Sequence, residues 1–410
     1  MTASQASNAA DARPGSVREV FRAFLLLGLT SFGGPVAHLG YYRTEFVARR
    51  RWLDEATYAD IVALNQFLPG PTSSQTGFAI GLLRAGLPGA LAAWIGFTLP
   101  SAVAMLLLGT GLVAAGGFDI AWLSGLKIAA LAIVAQAVWA MAVQLCPNRR
   151  TQGFALVAAM IMLVAGDAAV QIAVIALAAV AGHVLLENAG GTAEDHVMGH
   201  RRLPATVPVL SAVLLVLLLG GLPVAALALM HPALDLVDAF LRAGALVFGG
   251  GHVVLPLLQS EMVSPGYISA DAFLAGYGAA QALPGPLFTI AGFLGSAIEL
   301  PGWPGGIAGG VIALVAIFAP GFLLLLVVWP FWQGLRRRHG IRRALAGVNA
   351  AVVGLLLAAL YDPIWTSTVH GPLDLAMALG ALTLLAVARV PPWAVVVLCL
   401  AAGAAPAALA

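Results

Sequence analysis

The segment Asn65-Gln66-Phe67-Leu68-Pro69-Gly70-Pro71-Thr72-Ser73-Ser74-Gln75-Thr76 interrupts an otherwise apolar region and constrains everything around it. Proline has no N–H and its ring clashes with the preceding turn. Two prolines flanking a glycine therefore end one helix near Leu68 and let the next begin at Pro71. Leu68 and Gly70, each preceding a proline, are driven out of the α region. The new start is rich in hydroxyls, and its first amides have no partner within the helix. At membrane depth such a break survives only where protein or a water-filled cavity surrounds it. The device returns 215 positions later as Ala280-Gln281-Ala282-Leu283-Pro284-Gly285-Pro286, and both copies are followed by Gly-Phe, at Gly77-Phe78 and Gly292-Phe293. Paired breaks in corresponding places of two halves point to a transporter's binding site.

Hydrophobic residues make up 61% of the chain and charged ones 9%, against roughly 25% charged in a soluble domain. The chain reads as an all-α polytopic membrane protein living in a lipid bilayer. Its net charge of +2 implies no nucleic-acid partner. Cys146 and Cys399 are too few for a disulfide framework. Residues 1–16 lack the apolar core of a cleavable signal and read as a disordered cytoplasmic tail.

A first apolar helix is expected over 17–32, stopped at Ser31-Phe32-Gly33-Gly34-Pro35, with a return arm carrying His38, Glu45 and Arg49-Arg50-Arg51. Arms at 56–68 and 72–84 lead into and out of the first break. At roughly 20 Å each they are too short to cross a ~30 Å hydrocarbon core. Four spans follow at 89–115, 119–145, 152–166 and 168–186, then a polar loop and a linking span at 206–230.

The second half repeats the first. Phe248-Gly249-Gly250-Gly251-His252 answers Phe32-Gly33-Gly34-Pro35, and Glu261 answers Glu45, both 216 positions on; Leu345-Ala346-Gly347-Val348-Asn349 answers Leu123-Ser124-Gly125-Leu126-Lys127 at 222. Apolar spans at 304–333, 341–361, 372–388 and 392–408 complete the copy. Arginines sort the two halves. Arg13, Arg18, Arg22, Arg43, Arg49, Arg50, Arg51 and Arg84 flank the first two hairpins, while the matching joints of the second half carry no Lys or Arg. Conversely, Arg336, Arg337, Arg338, Arg342 and Arg343 fill a loop whose counterpart is Gly116-Gly117-Phe118-Asp119. The positive-inside rule then puts corresponding loops on opposite sides of the membrane. The expected architecture is two inverted-topology repeats, 17–187 and 233–410, joined by a cytoplasmic loop and linking transmembrane helix at 188–232. Each repeat holds two broken, re-entrant helical hairpins followed by four transmembrane helices. The N-terminus is expected in the cytoplasm and the C-terminus in the periplasm.

Phe-Gly-Gly-Pro after an apolar helix, Leu-Pro-Gly-Pro, and a second half bearing Phe-Gly-Gly-Gly-His and Leu-Pro-Gly-Pro together resemble the chromate ion transporter family in its long-chain, two-domain form. The similarity runs from about Val17 to the last span. It implies a multi-pass protein of the bacterial inner membrane that exports chromate, a tetrahedral dianion for which sulfate is an analogue. No cofactor or metal is implied, and a homodimer is compatible with it.

The residues themselves speak for an anion and go no further. Half-helix starts at Pro71 and Pro286 aim unpaired N–H groups at the middle of the protein, each equivalent to roughly +0.5 charge. Pro69, Gly70, Pro71, Thr72, Ser73 and Ser74 form one candidate site; Gln281, Pro284, Gly285 and Pro286 form the other, which offers only Thr289 as a nearby hydroxyl. Gly33, Gly34, Gly249, Gly250 and Gly251, with His252, would let backbone approach a ligand, or merely let hairpins pack tightly. Lys127, the only lysine, lies inside an apolar span. A buried cation there either attracts the anion, with Asn349 as its uncharged counterpart, or pairs with a carboxylate. Glu45 and Glu261 are candidates to carry a coupling proton, and arginines 49–51 are equally good structural partners for the first. Arg242 stands four after Asp238, the spacing of a helical ion pair. Asn65, Gln66, Gln75 and Gln281 either bond freed backbone or hold substrate. His196 and His200, beside Glu194 and Asp195, lie in a Gly-bearing loop and read as solvated. There is no His-Glu-x-x-His, no Walker loop and no sizeable soluble domain. Two readings stand: a secondary active oxyanion exporter, or an intramembrane enzyme or scaffold whose broken-helix cavity serves a lipid or protein partner.

Overall fold

A computed structural model of the chain describes residues 15–32, 34–114, 120–165, 168–186, 203–248, 253–332 and 339–409. The N-terminal tail to residue 14, Gly33, Gly249, Gly250, Gly251, His252, the histidines 196 and 200 and the arginines 336–338 lie outside them. Among the described residues every regular element is helical. Five helices are long and apolar enough to cross a membrane: Thr72–Ala114, Ser124–Leu145, Thr206–Leu229, Gly306–Phe331 and Gly340–Thr368. This is a multi-pass membrane protein.

Helix α1 (Val17–Thr30) starts where the Ser16 hydroxyl accepts the Glu19 amide at 3.1 Å. After it, α2 (Gly34–Tyr42) continues into a π-helical turn, Arg43–Arg49. Helix α3 (Glu55–Phe67), capped by Asp54, ends at Leu68 in extended backbone before Pro69. Helix α4 (Thr72–Ala114) is not continuous: Ala85 and Gly86 leave the helical region, Gly86 at φ +72. The chain doubles back there, because a Cβ on Gly81 would strike the Gly89 carbonyl. A short arm thus precedes a long span, as the sequence predicts.

Next come α5 (Ile120–Leu145), α6 (Arg149–Val164) and α7 (Ala168–Leu185), then α8 (Thr206–Leu229) with a π-helical turn inside it. The second half follows with α9 (Pro232–Ala245), α10 (Val254–Met262), α11 (Ala270–Ala282), a 3-10 turn Leu287–Thr289 leading into α12 (Ile290–Ala297), α13 (Gly306–Val328), α14 (His339–Ala359), α15 (Pro372–Ala386) and α16 (Pro392–Leu409). Helices α6 and α15 hold 16 and 15 residues, fewer than the ~20 of a full crossing. The expected ranges 152–166 and 372–388 are helical, but they are short.

Glycines set the close crossings, and they do so in matching pairs. A Cβ on Gly28 of α1 would meet the Phe97 carbonyl of α4, and one on Gly244 of α9 would meet the Ile317 carbonyl of α13. Gly125 of α5 lies against the Cys399 carbonyl of α16, while Gly347 of α14 lies against the Ala178 carbonyl of α7. So α5 packs on α15 and α16, and α14 packs on α6 and α7. Each half clasps a helix of the other. Aromatic rings fill the space between: Phe24, Tyr42, Phe46 and Trp52 on one side, Phe78, Trp94, Phe318 and Phe322 on the other.

Charge gathers at one rim. Arg84 reaches Glu19 at 3.3 Å and stacks 5.1 Å from the Trp52 ring, which Arg50 also faces at 5.4 Å. Glu45 joins the same rim through Arg49 and Arg50. By contrast α8 turns Val216, Leu227 and Leu229 outward, as a lipid-facing helix does.

Candidate functional site

Each Pro-Gly-Pro break is held by the other half. The Gly70 amide donates to the Val247 carbonyl at 2.7 Å, and the Gly285 amide donates to the Ser31 carbonyl at 3.0 Å. Val247 and Ser31 are themselves 216 positions apart, each just before a Phe-Gly-Gly sequence. Both glycines need their freedom, with φ at +123 and +107, where a side chain is strained. Both breaks also press on a helix of the opposite half. A Cβ on Gly70 would lie 3.1 Å from Gly321 of α13, and one on Gly285 would lie 2.7 Å from the Ser101 hydroxyl of α4. Gly321 and Ser101 each follow a proline within their helix, Pro320 and Pro100.

Around the first break the polar groups divide into two sets. Gln75 stabilises the backbone, its amide donating to the Pro69 and Gly321 carbonyls at 3.0 Å each. Asn65 does likewise, donating to the Ile61 carbonyl at 2.9 Å and to Thr76 at 3.3 Å. The other set is buried without protein partners: the Ser74 hydroxyl, His38 Nε2 and Tyr42 OH, with the Ser31 hydroxyl beside the second break in the same state. Buried polar atoms in this state ask for an explanation. His38 is 1% exposed, its Nδ1 lies 3.4 Å from the Ser73 hydroxyl, and its ring stands edge-on to Phe97 at 5.1 Å. Phe97 in turn borders Gly285. His38 thus stands between the two breaks. The sequence reading placed it only on the return arm; a lone histidine in an apolar arm was the available signal.

The second break is plainer. Its helix starts as a 3-10 turn, and the Thr289 hydroxyl is spent on the Pro286 carbonyl at 2.9 Å. With the Gly70 and Gly285 amides taken by protein, the donors at the first break include the first amides of α4, the Ser74 hydroxyl and the Ser73 hydroxyl that His38 shares. Gly34, at φ +74, opens α2 four residues before His38.

Other predicted residues lie apart from the breaks. Lys127 is paired, its Nζ 2.8 Å from Asp271 Oδ1. Asn349 lines a cleft of about 650 Å³ together with Gln144, Asn148, Arg149 and Arg150. Glu45 is held by two guanidiniums, Arg49 at 3.0 Å and Arg50 at 2.5 Å. Glu261 has one, Arg242 at 2.9 Å, which Asp238 shares at 3.1 Å. The Asp238–Arg242 pair is the one its spacing predicts, extended to a second carboxylate.

The sequence profile of the chromate transporter family matches residues 18–183 and 234–404. A probable chromate transport protein of Synechococcus elongatus is 27% identical over 350 residues, 84% of each chain. A chromate transport protein of Pseudomonas aeruginosa is 28% identical over 377 residues, covering 88% of this chain and 84% of its own. One from Cupriavidus metallidurans is 27% identical over 351 residues, 84% and 82% respectively. No solved structure matches the chain.

Proposed function

The chain belongs to the chromate transporter family, and from that premise we propose that it is a secondary active exporter of a tetrahedral oxyanion, chromate with sulfate as analogue, in a bacterial inner membrane. Two inverted repeats carry it, with the anion bound where their Pro-Gly-Pro breaks meet. The observation that supports this most is the reciprocal anchoring of the breaks, Gly70 on Val247 and Gly285 on Ser31. Inverted repeats bring equivalent broken helices together at the midplane, where half-helix N-termini face an anion.

The anion's neighbours on this reading are the first amides of α4, the hydroxyls of Ser73 and Ser74, and His38. An oxyanion accepts from every one of them, and burial strengthens each bond. Pro69, Gly70 and Pro71 hold that start open; Pro284, Gly285 and Pro286 do the same for the second half and close the site from the other side. The lopsided supply of hydroxyls makes the first break the principal binder. Glu261 is the proposed proton carrier, because burial disfavours its charge and Asp238 shares its one guanidinium.

Inside-out membrane vesicles containing the protein test the proposal. Chromate uptake should saturate, collapse when the proton gradient and membrane potential are dissipated, and be competed by sulfate. Uptake that is linear in concentration and indifferent to both gradients would sink it.

A further inference from the structure

The two halves also differ where α5 and α14 meet, or do not meet, the arm of the opposite half. At the first of these places, α5 lies so close to α11 that a Cβ on Gly278 would stand 2.8 Å from the Leu126 carbonyl, and Lys127 binds Asp271 beside that crossing. Lys127 is 9% exposed, and Leu274 and Gly278 of the covered face are buried. The positions of α3 that match Asp271, Leu274 and Gly278 are Ala56, Ala59 and Ala63, 215 residues earlier. All three are exposed. Spaced three and four apart, they form one helix face. The match to Lys127 is Asn349, which borders a cleft between α5, α6 and α14 with Arg149 and Arg150. One side is closed by a charge pair; at the equivalent side Asn349 and Ala56 are both uncharged, and the alanine face of α3 is left uncovered.

We propose that Lys127 and Asp271 are gate residues that latch the periplasmic side of the transporter, and that α14 closing on the Ala56–Ala59–Ala63 face forms the cytoplasmic gate, open in this conformation. The proposal rests on the inverted-repeat reading above, which sets the Lys127 end of α5 outside and the arginine-rich Asn349 end of α14 inside. Each transport cycle then breaks the pair, lets α5 leave α11 and brings α14 onto α3. The neutral Asn349–Ala56 pair lets the inner gate reopen without separating charges. Lys127 acts through Asp271 and need not touch the anion.

Two measurements test this, both in a background with Cys146→Ser and Cys399→Ser. The first is flux. Lys127→Ala and Asp271→Ala should each slow chromate uptake roughly two- to five-fold, the effect of losing a half-exposed ion pair. Lys127→Asp combined with Asp271→Lys should restore most of it. Failure of the swap to rescue a well-inserted protein overturns the latch, since a lysine needed by the anion itself cannot be exchanged with an aspartate. The second is cross-linking of Ala56→Cys with Asn349→Cys by a short bis-maleimide. The link should form within one chain and increase several-fold when Lys127→Ala is added. No link in either background, or a link only between two chains, overturns the gate. Labelling of Arg150→Cys and Ser367→Cys separates the two levels: if both label from one side, the repeat reading itself has failed; if they label from opposite sides and the cross-link is absent, only the gate has.

Discussion

Ser74 is the sharpest test at the scale of single residues, because its hydroxyl is buried and has no protein partner. Removing it leaves no orphan behind, so Ser74→Ala should keep its melting temperature in detergent. The half-saturating chromate concentration should still rise about five-fold, the equivalent of one hydrogen bond of ~1 kcal/mol. Ser73→Ala should raise it similarly but also lower the melting temperature, because His38 Nδ1 loses its partner; unchanged affinity in both variants would remove the hydroxyls from the site. The paired glutamates divide differently. Two guanidiniums keep Glu45 ionised, whereas Glu261 competes with Asp238 for one. Glu261→Gln should therefore flatten the dependence of flux on pH, and Glu45→Gln should lower stability with that dependence intact. Flux measured across the pH range in both variants decides between them.

Among the elements, the breaks carry the argument. Gly70 sits at φ +123 with Gln75 Nε2 2.8 Å from where a Cβ would be. Gly70→Ala should cost about 1–3 kcal/mol in stability and lose flux as well. Gly153 is the control: it has open space around its Cβ position, and Gly153→Ala in mid-helix should be neutral or stabilising by about 0.5–1 kcal/mol. Replacing Pro69 and Pro71 by Ala favours a continuous helix by up to ~3 kcal/mol at each proline. That helix would withdraw the start of α4 from the junction, so flux should vanish while membrane insertion persists. Normal export by this variant would place the site elsewhere. The arms around these breaks were legible in the sequence because proline chemistry is local: α3 ends at Phe67 and α4 begins at Thr72, within a residue of expectation. The partners of the breaks were not legible. Nothing near Gly70 names Val247. Gln75 and Asn65 could be read as backbone supports or as ligand groups, and only their geometry separates the two. Lys127 was legible as costly, and its carboxylate was not.

At the scale of the molecule, the short α6 and α15 bear on how often the chain crosses, and not on where it ends. Each lies in a hairpin with a neighbour, so demoting a hairpin from crossing to re-entrant changes the count by two and leaves both termini in place. Labelling of Arg150→Cys from the cytoplasmic side and of Ser367→Cys from the periplasmic side remains the expected result.

The mutual clasp has a consequence for synthesis. The ribosome delivers α5 about 250 residues before it delivers α15 and α16, so the first half must sit in the bilayer with one of its central helices uncovered on that face. Its Gly70 amide waits 177 residues for Val247. The first half expressed alone should therefore be a substrate for membrane proteases, and a pulse-chase should show it decaying within the time that the full chain persists. Supplying residues 203–410 from a second gene should rescue it, because what the early half lacks is a companion and not a bond in the chain. A first half that endures by itself would mean that the clasp is ornament to a fold already complete.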